Sequence, residues 1–145
     1  YRDGEGVPPD GAKAVEWFSK AAEQGLSEAQ YNLGVMYQQG TGVAQDDVEA
    51  VELFRKAADK GFTEAQYNLG VMYRDGEGVP PDGAKAVEWF HKAADQGLVE
   101  AQYNLGLIYG QGNGVPENIS KAMKWIRKAA EQGFAPAQKL LKELE

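Results

Sequence analysis

The residues whose type and spacing could do chemistry are, first, four glycine pairs: Gly4-x-Gly6, Gly40-x-Gly42, Gly76-x-Gly78 and Gly112-x-Gly114. Paired glycines let backbone amides close around a phosphate, but such a loop follows a strand and continues to a third glycine or to Gly-Lys-Ser/Thr. Neither continuation occurs, so the pairs read as helix ends and turns. Asp46, Asp47 and Glu49, and Asp3 with Glu5, offer carboxylates that could hold calcium. An EF-hand spreads its oxygen ligands over a loop of about 12 residues closed by a glutamate, and these loops are too short. The acids read as caps and solvated charges. His91 is the only histidine and there is no cysteine, so a zinc site or a Ser–His or Cys–His relay cannot be assembled. Acidic residues abound, yet nothing singles out a carboxylate pair of the glycosidase kind. The chain reads as a non-enzyme with no cofactor and no metal.

Composition narrows the partners. The formal charge is −7 and the isoelectric point near 4.8. The 15 basic residues are scattered singly or in pairs, whereas a phosphate backbone calls for clustered Lys and Arg. No apolar run approaches the roughly 18 residues of a membrane-spanning helix. The partner class left is protein or peptide, with no nucleic acid and no membrane insertion.

Positioning comes from repetition. Glu28-Ala-Gln-Tyr-Asn-Leu-Gly-Val-Met-Tyr37 returns unchanged as Glu64 to Tyr73, and with Leu107 and Ile108 as the two changes from Glu100 to Tyr109. A fixed period in this range marks a solenoid of stacked supersecondary units, each too small to bury its own apolar face. Tyr1 is the counterpart of Tyr37, Tyr73 and Tyr109, so the sequence reads as a piece of a longer array starting mid-repeat. The expected units are 1–25 (a loop and one helix), 26–61, 62–97, 98–133 and a C-terminal capping helix at 134–145.

Each unit holds two helices. Asp10, Asp46, Asp82 and Asn118 stand where an N-cap belongs, and Asp46 with Glu49 could close a capping box. Behind each cap runs an amphipathic segment such as Ala12 to Ala22, ending at Gly25, Gly61, Gly97 or Gly133. These are the B helices. Ser27-x-x-Gln30 and Thr63-x-x-Gln66 read as capping boxes for the A helices, the third copy has the uncapped Val99, and the fourth opens on Ala135-Pro136. The A helices close at Gly40, Gly76 and Gly112. No strand pattern occurs, and the fold class is all-α.

Gly34, Gly70 and Gly106 lie inside A helices, where each costs about 1 kcal/mol relative to Ala. The cost predicts a neighbouring helix passing too close for a methyl group. Ala29, Leu33 and Tyr37 mark the buried stripe. Trp17, Trp89 and Trp125, with Leu53 in the remaining copy, read as B-helix core. His91 aligns with Ser19, Arg55 and Arg127, which predicts a solvent-facing position. Lys139-Leu-Leu-Lys142 replaces Tyr-Asn-Leu-Gly in the last A helix, a solvating cap. At the other end the first B helix lacks its A helix, which predicts exposed apolar surface, and with it fraying or self-association. Residues 1–18 and 73–90 are identical throughout. Duplication of a two-repeat unit or design from repeats would each produce this.

The pattern Ala-x-x-x-Leu-Gly-x-x-Tyr-x-x-Gly-x-Gly-Val, followed by Lys-Ala and Lys-Ala-Ala-x-x-Gly, resembles the Sel-1-like repeat family, relatives of the tetratricopeptide repeat. In the second repeat it falls on Ala29, Leu33, Gly34, Tyr37, Gly40, Gly42, Val43, Ala50, Ala57, Ala58 and Gly61. Asp47 and the Leu140 to Lys142 step depart from it. The resemblance implies a right-handed α/α superhelical solenoid of about four 36-residue repeats, with A helices lining a concave surface. It implies an adaptor or scaffold, with bacterial cytoplasm or periplasm as the setting.

At 100° per residue, Tyr31, Val35 and Gln38 group on the A-helix side opposite the buried stripe. Their counterparts are Tyr67, Val71 and Arg74, then Tyr103, Leu107 and Gly110. The resemblance places ligand-facing positions at these steps, with Glu28, Glu64 and Glu100 at the rim and Asn32, Asn68 and Asn104 near the edge. A tyrosine ladder beside Val or Leu, flanked by amides, suits an extended peptide. The same tyrosines could instead pack between A helices, and near-identical inner residues suit a spacer or an engineered scaffold without a dedicated ligand. The expected function is protein or peptide binding on the concave A-helix face, with that spacer as the alternative.

Overall fold

The computed structural model describes residues 8–144, and side chains from Asp10. Eight helices follow one another: α1 Pro8–Glu23, α2 Ser27–Gln39, α3 Asp47–Asp59, α4 Thr63–Asp75, α5 Gly83–Asp95, α6 Val99–Gln111, α7 Ile119–Glu131 and α8 Ala135–Leu144. Among the described residues there is no strand. The even-numbered helices are the A helices and the odd-numbered ones the B helices. Each packs chiefly on its sequence neighbours, as a solenoid requires.

The turns are fixed by local chemistry. Asp46, Asp82 and Asn118 accept hydrogen bonds from the amides of Glu49, Lys85 and Lys121 at 3.1, 3.1 and 3.0 Å. These are N-caps as expected. Asp10 lies inside α1 and caps nothing, because that helix begins at Pro8. The capping box at Asp46 is not closed either: its own N–H donates to the Tyr37 carbonyl, 2.9 Å away. Asp82 and Asn118 repeat this bond to Tyr73 and Tyr109, which ties each B-helix start to the end of its A helix. Gly40, Gly76 and Gly112 close the A helices with φ near 71–73°, a region that favours glycine.

The capping boxes expected at Ser27 and Thr63 do not form. Those residues begin the helices themselves, and the N-cap positions are Leu26 and Phe62, with no side-chain cap. The glutamines turn the other way. Gln30, Gln66 and Gln102 are buried, and their side-chain amides donate to the carbonyls of Ala22, Ala58 and Ala94 at 3.2–3.3 Å. Each of these carbonyls already accepts the N–H of Gly25, Gly61 or Gly97, so the amide adds a second hydrogen bond to the last turn of the preceding B helix and finds there the partner that a buried donor needs.

The core is small and dense. Ala50, Ala57, Ala65, Ala93, Ala101, Ala129 and Ala137 are inaccessible, and between them sit Phe54, Phe90, Leu69, Met72 and Leu105. Gly34 and Gly70 face the B-helix partner as expected: an added Cβ would lie 2.8 Å from the Phe54 ring and 2.7 Å from the Phe90 ring. At Gly106 it would collide with Ile126. Real Cβ atoms do not approach so closely, so these glycines let large B-helix side chains reach the A-helix backbone.

The tryptophans are not uniformly core. Trp125 is 6% exposed, Trp89 is half-buried and Trp17 is 70% exposed. Trp125 and Trp89 have helices on both sides, whereas α1 packs chiefly on α2. The apolar surface expected at that end is present as Trp17 and Leu26. His91 also departs from its expected solvent-facing position. It is half-buried, with Nε2 at 2.9 Å from the Tyr109 hydroxyl and its ring edge-on to Trp125. Arg55, one repeat earlier, donates to the Tyr73 hydroxyl at 2.7 Å. The position is polar because it reaches the tyrosine of the next A helix.

Candidate functional site on the A-helix face

The residues expected to face a ligand lie on successive A helices, and none is fully buried. The tyrosines are held from behind. Tyr31 packs its ring 5.7 Å from Phe54 and 5.2 Å from Phe62, Tyr67 lies 5.6 Å from Phe90, and Tyr103 lies 5.3 Å from Phe134. Such tilted contacts fix a ring's orientation. Each ring is therefore engaged in packing and only partly exposed at the surface. Val35 and Val71 are likewise half-buried against the core. Asn32, Asn68 and Gln38 are half-buried on the same helices.

Three expected residues are drawn together in the middle of the array. Asn104 on α6 donates to the Tyr67 hydroxyl on α4 at 3.2 Å, and its side-chain oxygen accepts from Arg74 Nη1 at 3.1 Å. Asn104 also donates to the Glu100 carbonyl at 2.8 Å. Arg74 turns its other nitrogens to Asp75 at 3.0 and 3.3 Å. The hydrogen bond to Asp75 raises the guanidinium pKa further above its ordinary value, against a partial desolvation. Arg74 is therefore a fixed cation whose charge is locally paired.

Arg74 and Asn104 of this latch line a cavity of about 380 Å³ together with Leu107, Gln111 and Asn113, and Tyr67 stands outside its lining. Gln111 and Asn113 escaped the sequence reading, because they lie past the tyrosine ladder where the repeats diverge. Tyr31, Val35 and Gln38 belong to a separate stretch of the face on α2, outside that cavity. Chemically the cavity offers amide donors and acceptors with one paired cation. Among the described residues no cluster of His, Cys, Asp or Glu could hold a metal ion, and no helix is long and apolar enough to cross a membrane.

Comparison with known proteins gives the architecture a family. The Sel1 repeat model matches at residues 1–26, 27–62, 63–98 and 99–134. Among solved structures, the chain is similar to c5321, a protective antigen of uropathogenic Escherichia coli strains with an SLR fold. The two share 47% identity with a TM-score of 0.83, covering 86% of this chain and 27% of that one. A Sel1 repeat protein from Oxalobacter formigenes shares 38% identity with a TM-score of 0.88, covering 91% of this chain and 54% of that one. Helicobacter pylori cysteine rich protein B, at 24% identity and a TM-score of 0.72, shares the fold over 95% of this chain and 99% of its own. The chain thus spans 27% and 54% of the first two relatives. A search of curated proteins returned no significant match. With four repeats matched and the same helix-pair solenoid in these structures, the chain belongs to the Sel1 repeat family.

Proposed function

We propose that the protein is an adaptor that binds an extended segment of a partner protein on its A-helix face. Sel1 repeat proteins are generally protein–protein interaction scaffolds, and the finer assignment rests on one observation. Arg74 and Asn104, from two successive repeats, are hydrogen-bonded to each other in the lining of one cavity, and the Tyr67 hydroxyl holds Asn104 in place. Preorganised amides and half-exposed rings suit recognition of a peptide backbone, because little side-chain entropy is lost on binding.

A peptide-display screen tests the reading. Hits are retested on a Tyr31→Ala, Tyr67→Ala, Tyr103→Ala variant and on Val71→Lys, with folding followed by circular dichroism. Binding should fall at least about tenfold in a folded variant, the loss of one interface anchor. Binding unchanged in both would overturn the proposal. The ring contacts of Tyr31, Tyr67 and Tyr103 with Phe54, Phe90 and Phe134 favour the spacer reading as the second choice, which an empty screen would support.

A further inference from the structure

The latch cavity has a counterpart one repeat further along, and the two differ in chemistry. Position for position, Arg74 is replaced by Gly110, Gly83 by Ile119, Asn104 by Leu140 and Ile108 by Leu144. The second cavity, of about 420 Å³, is therefore an apolar groove between α6, α7 and α8. Ile119 and Leu144 stand more than half exposed at its mouth. Leu107 and Gln111 line both cavities, so the two adjoin across α6. The first sets the amides of Asn104, Gln111 and Asn113 and the Arg74 cation among apolar walls, and the second is lined almost wholly by apolar groups.

Charge indicates what continues from them. Helices α2, α4 and α6 carry Glu28, Glu64, Asp75 and Glu100 against Arg74 alone, and Arg74 is already paired with Asp75. Glu28, Glu64 and Glu100 are exposed at one spacing along the array. At the groove end the balance reverses, with Lys139 and Lys142 exposed on α8 against Glu143. A cationic segment is attracted along α6 towards α2 and repelled from α8.

We infer that the partner segment is an extended basic peptide, anchored by one large aliphatic side chain in the groove at Gly110 and Leu140. Its backbone crosses Gln111 and Asn104, and its Lys or Arg residues run towards Glu100 and Glu64. This rests on the proposed adaptor role and adds the partner's chemistry and direction.

The test uses fluorescein-labelled twelve-residue Gly-Ser peptides carrying one Leu followed or preceded by three Lys, titrated into the whole chain by fluorescence anisotropy. Control peptides replace Leu by Ser, or Lys by Glu. The protein variants are Gly110→Phe, which fills the groove, and Glu64→Lys with Glu100→Lys. An added Cβ at Gly110 meets nothing closer than Ala122 at 3.7 Å, so the backbone there tolerates a side chain, and circular dichroism checks that Gly110→Phe stays folded. At low salt the Leu–Lys peptide should bind, and each control and each variant should weaken it at least about tenfold. Binding of Lys→Glu peptides as tightly, or indifference to Gly110→Phe, would overturn the inference. No peptide binding at all would do the same. So would concentration-dependent self-association of the chain that Gly110→Phe abolishes, because the groove would then hold a second copy. If display hits are lost in the tyrosine variant but not in Gly110→Phe, the adaptor reading stands and this inference alone fails.

Discussion

At the scale of single residues, the strongest constraints are contacts that a side chain would destroy. Gly70 costs helix propensity, yet a Cβ there would meet the Phe90 ring at 2.7 Å. Gly70→Ala should therefore lower the melting temperature despite the better helix former, and Gly70→Leu should cost about 3 kcal/mol or more. Gly110→Ala, whose added Cβ makes only ordinary contact with Ala122 at 3.7 Å, should gain about 0.5–1 kcal/mol. Equal melting temperatures for the two alanine variants would refute the close-approach argument. A second residue-scale expectation concerns His91. Its pKa is lowered, chiefly by burial, with Lys121 and Lys124 adding to that and Asp95 opposing it. The unfolded chain therefore takes up the proton first as pH falls, so this contribution to stability is complete above about pH 6.5 and lost below it. The drop in melting temperature from about pH 7.5 to about pH 5 should be smaller in His91→Gln than in the parent. An equal drop would locate the acid sensitivity elsewhere. The glycines were legible in the sequence because a mid-helix glycine costs something on its own. The surroundings of His91 were not, since a column of Ser, Arg and His reads as solvated until the tyrosine of the following A helix is brought beside it.

Among elements, the junction between consecutive repeats is held by glutamines. Gln96 donates to the Gly61 carbonyl at 3.1 Å and to Gln66 Oε1 at 2.8 Å. Gln132 does the same to Gly97 and Gln102 at 3.2 and 2.8 Å. The equivalent residue in the earlier junction is Lys60, which donates to the Gly25 carbonyl. Gln30 Oε1 is left buried with no partner among the described residues. An unmet buried acceptor costs about 1–3 kcal/mol. Lys60→Gln should complete the junction and raise the melting temperature by about 2–4 °C per kcal/mol recovered. An unchanged value would mean that the ladder adds nothing. Ser-x-x-Gln is one local pattern with two possible destinations, a helix start or a neighbouring helix end. Only packing decides between them, which is why the N-caps at Asp46, Asp82 and Asn118 could be read from sequence and the role of Gln30, Gln66 and Gln102 could not.

Across the whole molecule, stability is a sum over neighbouring helix pairs. Helix α1 packs chiefly on α2 and leaves Trp17 exposed, and α8 packs chiefly on α7, while α4 and α5 are covered on both sides. Hydrogen exchange should therefore reach the end helices α1 and α8 first and α4 and α5 last. Uniform protection along the chain would contradict nearest-neighbour stabilisation. The periodicity made this architecture visible in the sequence, since a 36-residue return of Ala, Leu, Gly and Tyr specifies helix pairs without knowledge of their packing. The exposed Trp17 shows the limit of that reading: it has the same residue type as the buried Trp125 and differs only in its neighbours. The face proposed for binding was legible as a stripe. Its division into an amide-bearing and an apolar compartment was not, because that division lies in the few positions where the repeats disagree.

The loops after the A helices touch the preceding B helix through main-chain atoms. Gly42 comes against Gly11, Gly78 against the Asp47 carbonyl and Gly114 against Gly83. Glycines 42, 78 and 114 all have φ between 74 and 82°. A joint made of bare backbone depends on the small residues at the contact itself, while Gln96, Gln132 and Lys60 hold the same junctions with side chains. Unequal crossing-over at these loops would keep the main-chain joint and re-sort the side-chain contacts beside it. Such an exchange would produce the identity of residues 1–18 and 73–90, as would design from repeats.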